Sequence, residues 1–180
     1  MHVVEIAERN GLLLEMYLGL CGCHRQELLL QFEVMEKLIS VAEKVKDTDK
    51  SRRKEVVVKE LKQLDLPAEF TLPLNPQWQC KAIVCDKCRA MSSKKVPMWI
   101  EFENIEETAP NFLTLFKAGD DLRQDLLTLQ LLRIMDTIWK SEGMDLKVIP
   151  YGCVSTGDEI GCALHCLGAR WLFDLGHVWP

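Results

Sequence analysis

Lys117 stands at the end of a short apolar segment and is followed by a cluster of aspartates, a combination suited to binding phosphate groups. The two-residue period of a strand over residues 112–117 places Lys117 on the same face as two leucines. A helix is predicted from Leu122 onward, and Asp125 lies near its start. An ammonium group can bind phosphate while a nearby carboxylate fixes its position. The segment is therefore an arrangement suited to phosphate, with Lys117 as its candidate binding residue.

The residues between this strand and the helix are typical of a tight connection. Gly119 permits a positive φ angle, which residues with a Cβ rarely adopt. Asp120 or Asp121 can accept hydrogen bonds from the open amides of the helix start, and Gln124 stands in capping-box position relative to Asp121. The helix carries apolar residues over most of its circumference, which predicts that it is largely buried. Its two apolar stripes comprise positions 126, 129, 132, 135 and 139, and positions 127, 131, 134 and 138.

A second candidate for phosphate binding is the loop Met91–Lys95, which contains two serines and two lysines between two predicted strands. Backbone amides, hydroxyls and ammonium groups in such a loop can hold phosphates as a glycine-rich loop does. No G-x-G-x-x-G or Walker motif is present. On chemistry alone such a loop is more often an ordinary solvated connection.

Eight cysteines leave a metal site open as an alternative. Cys85 and Cys88 have the C-x-x-C spacing of half a zinc site, and Cys162, His165 and Cys166 could supply further ligands. A second C-x-x-C pair is missing, which favours the reading of these thiols as small buried hydrophobic groups. In a cytosolic protein they stay reduced.

The elements that must position these residues follow from hydrophobic spacing. Three helices are predicted at about 5–17, 26–46 and 52–64, and the second has an apolar stripe. That stripe consists of Leu28, Phe32, Met35, Ile39, Ala42 and Val45. Three prolines between 64 and 78 favour an extended linker, and strands follow at 81–85, 96–102 and 112–117. After the long helix, residues 145–154 predict a strand pair interrupted at Pro150, with a hairpin turn at 156–158.

Composition limits the function classes. The chain has 180 residues, 48% of them hydrophobic, and a formal net charge of -5, which argues against binding nucleic acid. The mixed-charge run 50–62 is most simply the solvated face of a helix, with contact to anionic lipid headgroups as the alternative. No secretory signal pattern precedes residue 10, and residues 162–180 are too polar and too short to span a membrane. We expect a cytoplasmic protein without a transmembrane segment.

Three stretches of the chain resemble the class I phosphoinositide 3-kinase catalytic subunits. They are FKAGDDLRQDLLTLQLLRIMDTIW (116–139), CRAMSSKKVPMW (88–99) and DLKVIPYGCVSTGDEIG (145–161), and the last is similar to the gamma-type enzymes. The resemblance ends at Gly161, after which residues 162–180 form a divergent tail. It implies an α+β fold in which the last helices of an all-α helical domain precede a protein-kinase-like small lobe with an antiparallel sheet and one long helix. The implied boundaries are 1–64 for the helices, 65–79 for a linker and 80–161 for the lobe, which is cut at the hinge.

The same resemblance implies that the serine-lysine loop covers the phosphates of ATP. Ser93 and Lys95 then lie near the phosphates, and Met91 and Trp99 touch the adenine side. Taken without the resemblance, Trp99 is a core anchor of a small lobe, because an indole buries a large area wherever it lies.

Lys117 is, by resemblance, the lysine that pairs with the nucleotide phosphates. Asp125 and Tyr151 line the inner nucleotide pocket. From the residues alone, Lys117 is a strand-end lysine that extends into water, and Asp125 is an acid favoured by the helix dipole.

The implied activity is transfer of the γ-phosphate of ATP, with Mg²⁺, to the inositol 3-hydroxyl of a membrane phosphoinositide. The implied partners are that membrane surface, where the active enzyme is peripheral at the plasma membrane, and a regulatory subunit. Neither H-R-D nor D-F-G occurs after Tyr151, so we expect that the catalytic base and metal ligands lie outside this chain and that the chain alone is inactive. The alternative is a non-catalytic isoform that acts as an interaction or competitor module, and a splice variant or a gene-model error would explain the tail.

Overall fold

Three helices precede a block of strands that is interrupted by one long helix. The computed structural model describes residues 2–157 and 159–164, with the side chains of residues 8–157 and 159–163. The helices are α1 (His2–Leu20), α2 (His24–Lys46), α3 (Arg53–Lys62) and α4 (Arg123–Ser141). The strands are β1 (Phe70–Leu72), β2 (Asn75–Ile83), β3 (Arg89–Ala90), β4 (Met98–Asn104), β5 (Phe112–Ala118), β6 (Cys153–Gly157) and β7 (Ile160–Leu164). A 3₁₀ turn, Cys85–Lys87, precedes β3.

The strands form one antiparallel sheet with β5 near its centre. Their order is β1-β2-β4-β5-β7-β6, and β3 pairs with β4. Trp99 on β4 lies opposite Leu115 on β5, and Gly161 on β7 lies opposite Lys117. Helices combined with an antiparallel sheet agree with the predicted α+β class. The central position of β5 fixes Lys117 between two hydrogen-bonded neighbours.

Helix α2 packs on the sheet and shares a hydrophobic core with it. Val34, Leu38 and Val45 are at most 1% exposed and belong to the same buried cluster as Ile100 and Phe102. The predicted stripe was correct for Met35, Ala42 and Val45, but Phe32 is 60% exposed. The helix is apolar over a wide arc, and the sheet selects the part of the arc that is buried.

Residues 65–79, predicted as a linker, contain β1 and the start of β2. Phe70 and Leu72 are 3% and 1% exposed, so this segment contributes to the core. Its prolines are compatible with pairing because Pro73 lies in the turn between the strands. Pro76 is exposed at a place where the β1–β2 register shifts, so no ladder hydrogen bond is lost there.

Helix α4 is mostly exposed, and the prediction that it is largely buried was wrong. Among its residues only Leu129 is buried, at 2%. One face of α4 carries large apolar side chains that are 43–58% exposed, namely Leu127, Leu131, Ile134, Met135 and Ile138. An apolar pattern shows that a helix face could be buried, but burial requires another element to cover that face. Within the described residues no element covers this face of α4.

The segment after α4 enters the sheet later than predicted. Residues 144–152 contain no strand, and Lys147 has a φ of 56°, which excludes it from a ladder. Strands β6 and β7 instead pair from Cys153 and Ile160 onward, so residues 162–164 of the predicted tail continue β7 beside β5. Asp158 of the predicted hairpin turn and residues 165–180 of the tail lie outside the described residues.

Gly161 is required by close packing between β6, β7 and the start of α4. A Cβ at this position would lie 2.3 Å from the carbonyl oxygen of Val154 and 2.5 Å from Cδ1 of Leu122. Both distances are far below van der Waals contact.

Within the described part of the chain, no helix is long and apolar enough to cross a bilayer.

Thr114 on β5 carries a buried hydroxyl without a partner. The residue is 1% exposed, and among the described residues its Oγ1 makes no hydrogen bond. Thr114→Val replaces this hydroxyl by a methyl group of similar shape, so the free energy of unfolding should stay unchanged or rise by about 1 kcal/mol. Urea denaturation of the full chain measures it.

Thr71 on β1 provides the matched control for that substitution. It is 7% exposed, accepts a hydrogen bond from Nε2 of Gln31 at 2.7 Å and donates one to Glu27 at 3.1 Å. Thr71→Val leaves the buried amide of Gln31 without this acceptor and should lower the free energy of unfolding by about 1–3 kcal/mol. Equal losses in the two variants would contradict the assignment of Thr114 as an unpaired hydroxyl.

Candidate functional site

Strand β5 and helix α4 bring Lys117 and Asp125 into direct contact. The Lys117 Nζ lies 2.9 Å from Oδ2 of Asp125 and 3.3 Å from Oδ2 of Asp120. The lysine side chain is 17% exposed. Burial acts to lower the pKa of Lys117, but hydrogen bonds and charge from Asp125 and Asp120 outweigh it and raise the pKa above its usual value. The lysine is therefore charged at neutral pH and oriented by two carboxylates.

The turn after β5 divides the predicted capping roles between two aspartates. Gly119 has a φ of 82°, as its residue type predicted. Asp121 accepts a hydrogen bond from the backbone N–H of Arg123 at 3.0 Å, and hydrogen bonds from Arg123 lower its pKa to about 2. Asp120 turns back to Lys117 instead. Among the described residues no side-chain hydrogen bond from Gln124 completes a capping box.

The loop Met91–Lys95 is closed on itself and attached to the Gly119 turn. The N–H of Met91 donates to the carbonyl of Pro97 at 2.8 Å, and the N–H of Val96 donates to the carbonyl of Ser93 at 3.1 Å. The ammonium group of Lys95 donates to the carbonyl oxygen of Gly119. The loop and the turn beside Lys117 are therefore joined by a side chain that was predicted to bind phosphate.

Trp99 lies on the same sheet face as Lys117. It is half-buried on β4, opposite Leu115, and the guanidinium carbon of Arg89 lies 5.6 Å from its ring centroid. Such a distance is typical of a cation–π contact. Trp99 therefore borders the Lys117 face rather than the core that α2 covers.

Tyr151 faces the Lys117–Asp125 pair. Burial raises its pKa, the charge of Asp125 raises it further, and the charge of Lys117 lowers it. Arg133 on α4 donates a hydrogen bond to the backbone carbonyl of Tyr151 at 3.4 Å. Lys117 and Asp125 therefore form a contact pair whose charges reach Tyr151, and Lys95 is attached to the Gly119 turn that follows Lys117.

The sequence analysis missed Cys153 as a member of this cluster. Burial raises its pKa to about 11, and the charges of Asp125 and Lys117 act on it in opposite directions. The available signal was the alternation of an extended chain, because Cys153 stands two residues after Tyr151 and shares its side. Met91 and Ser93 lie in the loop, and no contact joins them to Lys117 within the described residues.

Two surface clefts lie outside this cluster. One of about 300 Å³ is lined by Lys87, Glu101, Asn111 and Leu113. The other, of about 230 Å³, lies between α2 and the Gly119 turn.

The cysteines give no support to a zinc site. Cys85 and Cys88 each direct their sulfur to a backbone carbonyl, at 3.4 Å in both cases. Among the described residues, no group of three or more metal-ligating side chains is placed to hold an ion. His165 and Cys166, which were named as further ligands, lie outside the described residues.

Comparison with known proteins relates this geometry to a family. The family model "Phosphatidylinositol 3- and 4-kinase" matches residues 111–170. The chain is 54% identical over 176 residues to "Phosphatidylinositol 3-kinase 2" from Dictyostelium discoideum. The aligned residues make up 97% of this chain and 10% of that protein. It is 48% identical over 161 residues to "Phosphatidylinositol 3-kinase 1" from the same organism. Here the aligned residues make up 89% of this chain and 10% of that protein. The chain belongs to the phosphatidylinositol 3-kinase family.

The family match includes the elements that carry the cluster. Residues 111–170 contain β5, α4, β6 and β7, with Lys117, Asp125 and Tyr151 among them. The match also includes residues 162–170, which the sequence analysis placed in a divergent tail. The chain spans about a tenth of the length of the phosphatidylinositol 3-kinase relatives it matches.

Proposed function

We propose that this chain contributes the nucleotide-phosphate lysine of a class I phosphoinositide 3-kinase of the gamma type. The complete enzyme transfers the γ-phosphoryl group of ATP to the inositol 3-hydroxyl of a membrane phosphoinositide. The observation that carries the proposal is the Lys117–Asp125 pair at 2.9 Å, which lies inside the segment that matches the family. A strand lysine positioned by a helix carboxylate is the arrangement by which kinases hold nucleotide phosphates.

The donors around Lys117 suit a phosphate group. A lysine ammonium has three donors, and among the described residues two carboxylates, Asp125 and Asp120, occupy two of them. The third donor is available to a phosphate oxygen. A charge-assisted hydrogen bond of this kind contributes about 1.5–3 kcal/mol. The carboxylates keep the ammonium charged and stationary, so it stabilises phosphate charge without having to reorganise.

Ser93 and Lys95 are proposed as further phosphate contacts from the loop. Lys95 already donates to the carbonyl of Gly119, two residues after Lys117, so a phosphate near Lys117 is within the same region. Because an ammonium has three donors, Lys95 can keep this contact and still bind phosphate. When bound, ATP supplies the transferable phosphoryl group, and its Mg²⁺ is held in the complete enzyme.

Met91 and Trp99 are proposed for the adenine side of the nucleotide, and Asp125 and Tyr151 for the inner wall. The half-buried indole on the Lys117 face supports the first assignment, since a flat apolar surface suits a purine ring. The electrostatic contact of Tyr151 with Asp125 and Lys117 supports the second. Residues 80–161 are accordingly proposed as the small lobe of the kinase. A regulatory subunit and a phosphoinositide membrane are proposed partners of the complete enzyme, which is cytoplasmic and peripheral at the plasma membrane when active.

We expect a polypeptide of these 180 residues to have no lipid kinase activity and to bind ATP more weakly than micromolar. Phosphate contacts from a few solvent-accessible side chains contribute about 1 kcal/mol or less each. Micromolar binding requires roughly 8 kcal/mol. The exposed apolar face of α4 should also make the chain prone to aggregate. Incubation with Mg·ATP and phosphoinositide vesicles, together with calorimetric titration of ATP, measures both quantities. Formation of 3-phosphorylated lipid or micromolar ATP binding would show that the site is sufficient as it stands.

A chimera tests the proposed function itself. In the chimera, residues 1–164 of this chain replace the matched segment of the Dictyostelium phosphatidylinositol 3-kinase 2. If the segment supplies the nucleotide lysine, the chimera should phosphorylate phosphoinositide vesicles at the inositol 3-position at a rate within about tenfold of the parent. A folded, soluble chimera with no detectable product would count against the proposal.

A further inference from the structure

The Gly119 turn is held from behind by the β6–β7 connection. The N–H groups of Gly119 and Asp120 both donate to the carbonyl oxygen of Glu159, at 2.8 and 3.0 Å. Glu159 has a φ of 53°, a left-handed conformation that costs energy in a residue with a Cβ. Gly119 and Glu159, which both have positive φ angles, therefore lie next to each other. The carbonyl of Glu159 accepts both N–H groups of the turn that contains Gly119. These two hydrogen bonds hold the turn only from the side of the β6–β7 connection.

Helix α2 also reaches this junction through its last residue. The Nζ of Lys46 lies 2.9 Å from the position that a Cβ on Gly119 would occupy. Lys46 and Gly119 line the same cleft of about 230 Å³, together with Glu43 and Glu159. Among the described residues, no carboxylate lies within ion-pair distance of this ammonium. The exposed Lys46 side chain therefore ends beside the turn and, among the described residues, is not held by an ion pair.

Asp120 transmits the position of the turn to Lys117. It follows Gly119 directly, its N–H is one of the two bound by Glu159, and its carboxylate lies 3.3 Å from the Lys117 Nζ. A shift of Gly119 toward the cleft would draw Asp120 away from that ammonium. Helix α2 covers the opposite face of the sheet from Lys117, so Lys46 reaches the lysine's surroundings only around this end of β5.

We propose that Lys46 is a positioning residue for Lys117, because its side chain packs on Gly119 and thereby keeps Asp120 beside the Lys117 ammonium. The proposal rests on the proposed function in that Lys117 is taken as the phosphate-binding lysine. It makes the helical segment part of the site although α2 contributes no side chain to the Lys117 face. Lys46 acts by occupying the space next to Gly119.

Charge and position predict opposite effects on Lys117. Loss of the Lys46 charge alone removes a nearby like charge, which raises the pKa of Lys117 and slows its reaction with an acylating reagent. Loss of the side chain that supports the turn lets Asp120 move away, which lowers the pKa of Lys117 and speeds that reaction. Lys46→Met removes the charge and keeps most of the length, whereas Lys46→Ala removes both.

The experiment is trace acylation of the full chain with acetic anhydride, read by mass spectrometry of the peptide that contains Lys117. At pH values well below the Lys117 pKa, Lys46→Ala should accelerate acylation of Lys117 by about three- to tenfold, the effect of losing roughly half to one pKa unit. Asp120→Asn should give a similar acceleration. The double variant should be no faster than Asp120→Asn alone, because both changes remove the same contact. Lys46→Met should match the parent or react more slowly.

Lys54, an exposed lysine on α3, serves as an internal reference in every sample. The quantity compared is the acylation rate of Lys117 divided by that of Lys54. If a substitution acted by partial unfolding, this ratio would move toward the value measured in urea, and it would do so in Lys46→Met as well as in Lys46→Ala. A rate for Lys46→Ala that is unchanged or lower would overturn the proposal, as would an acceleration that persists on the Asp120→Asn background. No nucleotide or lipid is present, so the outcome is independent of whether the chimera has lipid kinase activity.

Discussion

Lys117→Ala is expected to lower phosphoinositide phosphorylation by the chimera by about two to three orders of magnitude. The substitution removes an ammonium group that two carboxylates, Asp125 and Asp120, hold at a defined place. Charge that develops on the transferred phosphoryl group then has no preorganised partner at that position. The measurement is the initial rate of 3-phosphorylated lipid formation at saturating Mg·ATP.

The loss should appear in kcat as well as in kcat/KM. An interaction made equally with bound ATP and with the transition state would raise KM alone. Asp125 and Asp120 fix the ammonium before ATP binds, so the energy of its contact is available when phosphate charge increases. The fold should be retained, because the Lys117 side chain ends at the surface and the buried core lies on the other sheet face.

Lys62→Ala is the matched control. Lys62 on α3 forms an ion pair with Asp86 at 2.8 Å, a distance similar to that between Lys117 and Asp125. The side chains of Lys62 and Asp86 are both more than half exposed. An exposed pair contributes about 1 kcal/mol or less, so this variant should retain activity within a few-fold of the chimera. Activity of Lys117→Ala within a few-fold of the same chimera would remove Lys117 from the site.

The strand, the turn and the helix start around Lys117 could be predicted from the sequence because their determinants are local. The strand period, Gly119 and the helix start lie within about a dozen residues, and each has a direct backbone cause. The sequence left Asp120 and Asp121 as alternative helix caps because capping chemistry does not distinguish two neighbouring aspartates. The structure separates them through Arg123, which binds Asp121 and leaves Asp120 to Lys117.

Long-range packing accounts for most of the predictions that failed. Whether a wide apolar arc on a helix is buried depends on which element covers it, and that element is distant in sequence. For α2 the sheet covers the side of Leu38 and leaves Phe32 exposed, although both fit a helical stripe. For α4 the same kind of pattern has no covering element within the described residues. The roles of Lys46 and Glu159 were also hidden, because each reaches the Gly119 turn from a separate part of the chain.

Leu38→Ala should lower the free energy of unfolding of the full chain by about 3 kcal/mol. Leu38 is 1% exposed and belongs to the core that α2 shares with the sheet, so its truncation leaves a cavity at that contact. Phe32→Ala removes a larger side chain from the same helix. Because Phe32 is 60% exposed, this control should cost about 0.5 kcal/mol or less.

Tryptophan fluorescence distinguishes a shared core from separate units. All five tryptophans follow residue 64, so their emission reports on the sheet and later residues and not on α1 to α3. If α2 and the sheet unfold together, Leu38→Ala should shift the urea midpoint of the fluorescence transition and of the circular dichroism transition by the same amount. If residues 1–64 instead formed an independent helical domain, the circular dichroism signal alone would shift. The measurement is made at low protein concentration to limit association through α4. If the fluorescence midpoint of Leu38→Ala equalled that of the parent chain, the α2–sheet contact would not hold the two segments in one cooperative unit.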